Sequence, residues 1–439
     1  HHCSLTGTTT MPFGAYIVDC VRTAGGKRGG RLSQVHPTDL GAIVVDALIE
    51  RTHIPPESVD DVIFGCVSQI GAQSANVSRH VVLSSKYLPE SVPGVTVDRQ
   101  CGSSQQALHF AAQAVMSGTQ DVVIAGGVEV MSLCPIGSSA MDGMAAGRGM
   151  PTGEAIQRKY VANVTQLVHW RTDSLTLSRS LARSLRYNTM FSQFEGAEIV
   201  AQKFNVTREE MEALAVESHR RGYEATQAGR FKGEIVPVKV KDPRTGEEVV
   251  HDTDEGIRWP ASVEKMAKLP LLKPEGGRIT AATASQITDG SSAVLVCNER
   301  GLQKLGLTPR ARIVALALAG SDPVMMLAGP IPASHTVLAK AGLTINDMDL
   351  YEVNEAFASV PLAWAKELGA SLDKLNVNGG AMALGHPLGA TGTKLMTTLV
   401  NELERRNARY GLQAICEGGG TANATIIERV TSYVPLAKL

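Results

Sequence analysis

Apolar and polar positions along this chain follow two periods, and the two alternate in the same order near both ends. Ala15 to Val21 is a β-rich apolar run, followed by Arg22-Thr23-Ala24-Gly25-Gly26 as a loop. From Asp39 to Arg51 the spacing is helical, with Leu40, Ile43, Val44, Ala47 and Leu48 on one face. Val62 to Val67 reads as a buried strand, Asn76 to Ser84 as a helix, and Val95 to Asp98 as a strand running into Cys101. Ser103 to Met116 is then a helix, and Asp121 to Ala125 a strand ending at Gly126-Gly127. Such alternation predicts βαβ units and a mostly parallel sheet.

The same grammar returns toward the C-terminus. Asp349 to Val353 is a strand, Leu375 to Asn378 leads to the glycine-rich turn Gly385-His386-Pro387, and Thr391 to Arg405 is a long helix. Gln413 to Cys416 is a strand ending at Gly418-Gly419. Corresponding landmarks lie roughly 290 residues apart, which predicts two copies of one α/β unit. Duplication places Cys101 and the His386 and Cys416 turns around one shared cleft, where the carboxyl ends of parallel strands take ligands.

The segment between the copies is different, rich in Gly, Met and charge. Within it Thr207 to Gly229 is a helix opened by a capping box, Thr207 with Glu210. Ile235 to Val240 and Glu248 to Asp252 resemble a hairpin around Pro243-Arg244-Thr245-Gly246. The predicted division is a first half at residues 11–130 completed by about 287–309, a loop-rich layer at 131–286 covering the cleft, and a second half at 310–432. Residues 1–10 precede Met11 and are set apart from the fold as an appended or disordered leader.

Composition narrows the function. A chain of 439 residues holds roughly two or three domains. The formal net charge of -1 argues against a general nucleic-acid or membrane-surface role, leaving room for a local basic site for a phosphorylated ligand. The seven cysteines show no C-x-x-C pairing and no metal-ligand spacing with histidine, so free thiols in a reducing compartment are expected and no metal. No apolar run approaches the roughly 20 residues of a membrane span, and no secretory leader opens the chain. The final Ala437-Lys438-Leu439 is a near variant of a peroxisomal address, so the expected location is peroxisomal or cytoplasmic.

Four residues carry the candidate chemistry. Cys20, Cys66 and Cys297 lie inside apolar strands and read as packed core thiols. Cys101 differs, because Gly102-Ser103-Ser104 after it suits a helix start whose N–H groups would lower the thiol pKa and hold an acyl oxygen. His386 between Gly385 and Pro387 cannot sit inside a regular helix and reads as an aimed loop imidazole. Asn354 either caps a helix beginning at Glu355 or offers its amide to a water or substrate oxygen. Cys416, before Gly418-Gly419-Gly420, supplies a second thiol, although those glycines could serve only close backbone approach. A thiol, a base, an amide donor and a second thiol point to acyl transfer.

In order and spelling these motifs resemble the thiolase family, the coenzyme-A-dependent 3-ketoacyl-CoA thiolases and acetyl-CoA acetyltransferases. The likeness runs from Ala15 to about Val430: Cys101-Gly102-Ser103, Asn354-Glu355-Ala356-Phe357, Gly385-His386-Pro387 and Cys416-Glu417-Gly418-Gly419-Gly420. Thr280 to Ser285 with Asp289-Gly290 resembles the family's pantetheine-side segment. The resemblance implies duplicated α/β halves in a five-layered α-β-α-β-α core, an inserted loop domain, and a homodimer or homotetramer. It implies Cys101 as nucleophile, His386 as base and Cys416 as acid/base. One oxyanion hole would be His386 with a water on Asn354; the other, the N–H groups of Cys101 and Gly418. Ser285 and Arg258 would lie along coenzyme A, although Arg258 also reads as a plain surface arginine. Coenzyme A is a substrate, and no cofactor is implied.

Two departures stand out. Val161 to Met190, with Trp170 and arginines 171, 179, 183 and 186, reads as an insertion of roughly 25 residues. A basic lid, a partner surface and a disordered excursion all fit it. Ser192-Gln193-Phe194-Glu195-Gly196 replaces the His-Met-Gly-like run that shapes the acyl pocket of short-chain members, which weakens a preference for acetoacetyl-CoA. The expected activity is thiolytic cleavage of 3-ketoacyl-CoA in fatty-acid β-oxidation. Acetoacetyl-CoA synthesis from two acetyl-CoA is the alternative within enzymes, and a non-catalytic acyl-CoA or lipid binder the alternative outside them. Condensing enzymes of fatty-acid synthesis share the fold but lack the second cysteine.

Overall fold

The computed structural model describes residues 13–156, 159–160 and 191–433. The expected insertion at 161–190 and the C-terminal tripeptide lie outside the described residues, as do the first twelve.

The first half contains β1 (Tyr16–Arg22), β2 (Gly26–Lys27), α1 (Pro37–Thr52), β3 (Asp61–Gly65), α2 (Val77–Ser84), β4 (Gly94–Val97), α3 (Ser103–Ser117) and β5 (Val122–Val130). A loop-rich layer follows, with α4 (Ser138–Ala145), α5 (Gln193–Lys203), α6 (Arg208–Gln227), β6 (Val238–Lys241), β7 (Glu248–His251) and α7 (Val263–Met266). The chain then returns through β8 (Thr288–Cys297) and α8 (Glu299–Leu305). The second half comprises β9 (Ala311–Gly320), α9 (Pro330–Ala341), β10 (Leu350–Val353), α10 (Ser359–Leu368), α11 (Ala381–Leu384), α12 (Thr391–Arg405), β11 (Tyr410–Glu417) and β12 (Thr421–Arg429).

The two halves have one strand order. The first runs β4-β3-β5-β8-β1, the second β10-β11-β12-β9, with Leu375 bridged in parallel to Tyr351 where β4 pairs β3 in the first. A seam of two residue pairs, Tyr16 with Arg312 and Ile17 with Ala311, joins β1 to β9.

Alternation along each strand sends side chains to opposite faces, and so builds the layers. Val62 and Phe64 face α1 and α2, whereas Ile63 faces Leu108 and Ala112 of α3. In the second half Leu412 and Ala414 face Val337 of α9 and Trp364 of α10. Between the sheets lie α3 and α12, with Met396, Leu399 and Leu403 in the same cluster as Ala107 and Ala111. Helices, sheet, paired helices, sheet and helices make the five layers.

Two expectations need correction. The sheet is mixed rather than mostly parallel: β3/β4, β3/β5 and β10/β11 run parallel, and β1, β8, β9 and β12 pair antiparallel. A three-glycine turn at 418–420 folds β12 straight back on β11, so no crossover is needed there. Nor does β5 stop at Gly126-Gly127; it runs on to Val130. A Cβ on Gly126 would lie 2.7 Å from Phe64 Cζ, and one on Gly127 would overlap the Gly389 carbonyl oxygen. These glycines let neighbours close onto a continuing strand.

Candidate active site

Cys101 stands on a tight turn between β4 and α3. Asp98 Oδ1 accepts from the Gln100 N–H at 2.7 Å, Ser103 Oγ accepts from Arg99 N–H at 2.9 Å, and Ser103 donates to Gln100 O at 2.6 Å. These bonds hold Gln100 at φ 48°, a left-handed value costing a non-glycine residue about 1–2 kcal/mol. Gly102 then opens α3 with no side-chain cap. A Cβ there would strike Glu417 Oε1 and come within 2.7 Å of Asn423 Nδ2. Only glycine lets the helix start rest on β11 and β12, and Asn423 Nδ2 completes the contact by donating to Gly102 O at 3.0 Å.

His386 occupies the turn before α12. The starts of α3 and α12 touch: Thr393 N–H donates to Ser104 Oγ at 3.0 Å, and a Cβ on Gly392 would overlap the Gln105 backbone nitrogen. The imidazole tautomer follows from its neighbours. Thr391 Oγ1 donates to Pro387 O at 3.0 Å and lies 2.6 Å from His386 Nδ1, so Nδ1 carries the proton and donates to Thr391. Nε2 is left as the acceptor, facing Asn354 Nδ2 at 3.3 Å. Asn354 Oδ1 is buried with no protein partner among the described residues. Asn354 does not cap a helix, since α10 begins only at Ser359.

Cys416 lies within β11, opposite Ala422 of β12, and packs with Phe357 and Met382 beneath the loop layer. The turn after it presses on the Cys101 turn, with a Cβ on Gly418 only 2.9 Å from Gln100 Oε1. Cys101, Cys416, His386 and Asn354 are all buried. Burial first, then the charge of Cys101, raises the Cys416 pKa well above that of a free thiol.

The expected lowering of the Cys101 pKa does not occur. Burial and the nearby Glu417 push it up to about 12, outweighing the backbone N–H that favours the thiolate. Burial, reinforced by Lys394, pushes His386 down to about 3. At rest the pair is therefore a neutral thiol and a neutral imidazole with a free lone pair.

Ser285 belongs to the strip that fastens the Asn354 loop, its N–H donating to Ala356 O at 2.9 Å while Ala358 N–H donates to Thr283 O at 2.9 Å. Arg258 is exposed on the loop layer, its backbone N–H bonded to His219 Nδ1 at 3.1 Å; no described contact joins it to the cysteines.

Three buried groups that hold the site escaped the sequence reading. Glu129 accepts from Val67 N–H, Ser68 N–H, Gln73 Nε2 and Gly389 N–H at 2.8–3.0 Å, tying the His386 turn to the first half. Glu355 accepts from Ser218, Asn376 and Met382 N–H, locking α6 to the Asn354 loop. Thr391 fixes the imidazole. A lone carboxylate inside the apolar run from Val122 to Val130 is the signal that could have found Glu129. Among the described residues no group of three His, Cys, Asp or Glu is arranged to hold a metal ion, and no helix is long and apolar enough to cross a membrane.

Comparison with known proteins matches residues 15–300 to the thiolase N-terminal domain and 307–429 to the thiolase C-terminal domain. The steroid 3-ketoacyl-CoA thiolase FadA6 of Mycobacterium tuberculosis is 52% identical over 418 residues, covering 95% of this chain and 94% of that one. The 3-ketoacyl-CoA thiolase of Cronobacter sakazakii is 40% identical, covering 94% and 99%. The crystal structure of the Bacillus anthracis acetyl-CoA acetyltransferase superposes with a TM-score of 0.82 at 34% identity, covering 96% of this chain and all of that one.

Proposed function

The chain belongs to the thiolase family, and from that premise we propose how its residues divide the work. It is an enzyme of the thiolase class, cleaving 3-ketoacyl-CoA thiolytically to acyl-CoA and acetyl-CoA. Cys101 Sγ attacks the 3-keto carbon as its proton passes to His386 Nε2. The bond between C2 and C3 breaks, and the acetyl-CoA carbanion takes the proton of Cys416. Coenzyme A then gives its thiol proton to the Cys416 thiolate and attacks the acyl group on Cys101, whose sulfur recovers its proton from His386. No metal or redox group takes part; coenzyme A is a substrate.

One observation carries this reading: a buried imidazole whose tautomer is fixed by Thr391, leaving Nε2 as acceptor beside the Asn354 amide, while the charge of Cys101 reaches the buried Cys416. Protonated by Cys101, Nε2 becomes an N–H donor and, with a water on Asn354, forms one oxyanion hole. The N–H groups of Cys101 and Gly418 form the other, each preorganised donor supplying roughly 3–4 kcal/mol. Ser285 and Arg258 are assigned to coenzyme A, with the halves and loop layer divided at 130, 286 and 310. The active form is taken to be a homodimer or homotetramer. Bacterial relatives favour a cytoplasmic location and lend no support to the peroxisomal reading of residues 437–439.

Direction favours degradation. The Ser192–Gly196 run forms the start of α5, where Phe194 packs edge-on against Phe357 at 5.4 Å, replacing the short-chain motif with an aromatic pair. The test is thioester loss from a ketoacyl-CoA chain-length series, extended to a steroid side-chain thioester, with coenzyme A present. Turnover rising beyond acetoacetyl-CoA supports the proposal; activity confined to acetoacetyl-CoA favours the synthetic role, and wild type inactive on every substrate refutes both.

A further inference from the structure

Between Cys416 and the glycines of its motif stands a carboxylate that the mechanism above does not use. Glu417 ends β11 on the face shared with Ile415, and Ile415 packs in one cluster with Cys101. Its side chain is wholly buried. Thr421 Oγ1 donates to Oε2 at 2.6 Å across the β11–β12 hairpin. The other oxygen, Oε1, is buried without a hydrogen-bond partner among the described residues and lies directly under Gly102, in the space a Cβ would need. A carboxyl in this place adjoins both cysteine turns: it is next to Cys416 in sequence and lies beneath Gly102, the residue that follows Cys101.

We propose that Glu417 is a positioning residue that gates Cys101 by its own protonation state. As the neutral acid it supports the nucleophile turn and leaves the thiolate unopposed; as the carboxylate it sets a buried negative charge against the same sulfur. Nucleophile activation moves one proton from Cys101 to His386, leaving a thiolate and an imidazolium. A Glu417 that has lost its proton to solvent adds a second negative charge to that pair. The proposal rests on Cys101 being the nucleophile.

The electrostatics agree with the geometry. Burial raises Glu417 to about 8, opposed by the Thr421 hydroxyl and by Arg99, with Asp98 adding to the rise. Cys101 in turn is raised first by burial and then by Glu417, ahead of Glu129 and Asp98. Cys416 is also raised by Glu417. The titratable groups facing this carboxyl are thus Arg99 and Asp98 from the turn before α3 and the two cysteines. Arg99 Nε is itself buried without a partner, and no ion pair joins Arg99 to Glu417 among the described residues.

The test is the pH dependence of Cys101 alkylation by iodoacetamide, read by mass spectrometry of the Cys101 peptide in the full-length protein. Wild type should gain reactivity with pH and then fall behind as Glu417 ionises near pH 8. Glu417→Gln should match wild type at pH 6.5 and react at least about 3-fold faster at pH 9, the size of a half-unit fall in thiol pKa. Thr421→Val removes a hydroxyl that favours the carboxylate, so its curve should bend at a higher pH than wild type; it serves as the second probe if the glutamine variant does not fold. Coincident curves for all three, or a constant ratio at every pH, would overturn the gating role. A parallel incubation with acetoacetyl-CoA separates the two readings. Failure of wild type to carry acetyl on Cys101 removes the nucleophile assignment, and acetyl-Cys101 together with coincident curves removes Glu417 alone.

Discussion

Thr391 Oγ1 lies 2.6 Å from His386 Nδ1 and spends its own proton on Pro387 O, so the imidazole can present only Nε2 as a base. Thr391→Val keeps the shape of the side chain and removes that acceptor. The imidazole then adopts either tautomer, and kcat should fall about 10- to 100-fold with KM for ketoacyl-CoA nearly unchanged. Steady-state kinetics on a single purified variant checks this; an equal rise in KM with kcat intact would place Thr391 in substrate binding instead.

Cys416 and Cys101 have separable duties in the proposed sequence. Cys416→Ala should still acquire an acyl group on Cys101 from ketoacyl-CoA, yet turn over at under about 1% of wild type because no group protonates the departing carbanion efficiently. Intact-mass measurement after brief mixing reads the acyl adduct. Full turnover in this variant would remove Cys416 from the chemistry, and Cys101→Ala should show neither adduct nor turnover.

Buried neutral histidines make the fold sensitive to acid. Burial depresses His109 and His386 to about 3, against an ordinary value of 6.5. Between those values the unfolded chain binds protons that the native one refuses, so stability rises with pH across that window. It is complete above about pH 6.5 and drains away as pH falls toward 3. His109→Gln, which keeps a nitrogen near Thr425, should cut the slope of unfolding free energy between pH 6 and 4 by about 1.4 kcal/mol per pH unit. Urea titrations at several pH values measure that slope, and an unaltered slope would show that native His109 accepts the proton.

Arg22 fastens the first strand to the loop layer through wholly buried charges. Its guanidinium meets Glu234 at 2.6 Å and Asp254 at 2.9 Å, with all three side chains out of solvent. Arg22→Met strands two carboxylates, and should cost about 3–5 kcal/mol. The urea midpoint reports the loss; replacing Glu234 and Asp254 by Gln and Asn in the same chain should recover part of it.

Much of this was legible in the residues, and the illegible parts share a cause. Apolar runs and spacing located β1, α1, α3 and α12, and the Thr207–Glu210 capping box marked the start of α6. Strand direction was not legible: β8 and β12 have the same apolar pattern whichever way their neighbours run, so the mixed sheet was read as mostly parallel. Gly126-Gly127 looked like a stop because the reason for those glycines, Phe64 and the Gly389 carbonyl closing in, comes from residues distant in sequence. The Cys101 acidity was misjudged for a similar reason. The helix start is written locally, whereas the burial that overrules it and the carboxyl of Glu417 arrive from the other half. Glu129 and Glu355 act through partners distant in sequence, which no local pattern announces.

The bond from Asn423 to Gly102 O spans 321 positions, which orders events on the ribosome. The turn bearing Cys101 leaves the exit tunnel long before β12 exists to brace it, by roughly 15–65 s at about 5–20 residues added per second. For most of that interval the nascent chain holds a thiol with no imidazole beside it, because His386 is translated only shortly before β12. On the proposed mechanism, catalytic competence therefore arrives only with β12, and a chain truncated before it should be born inert.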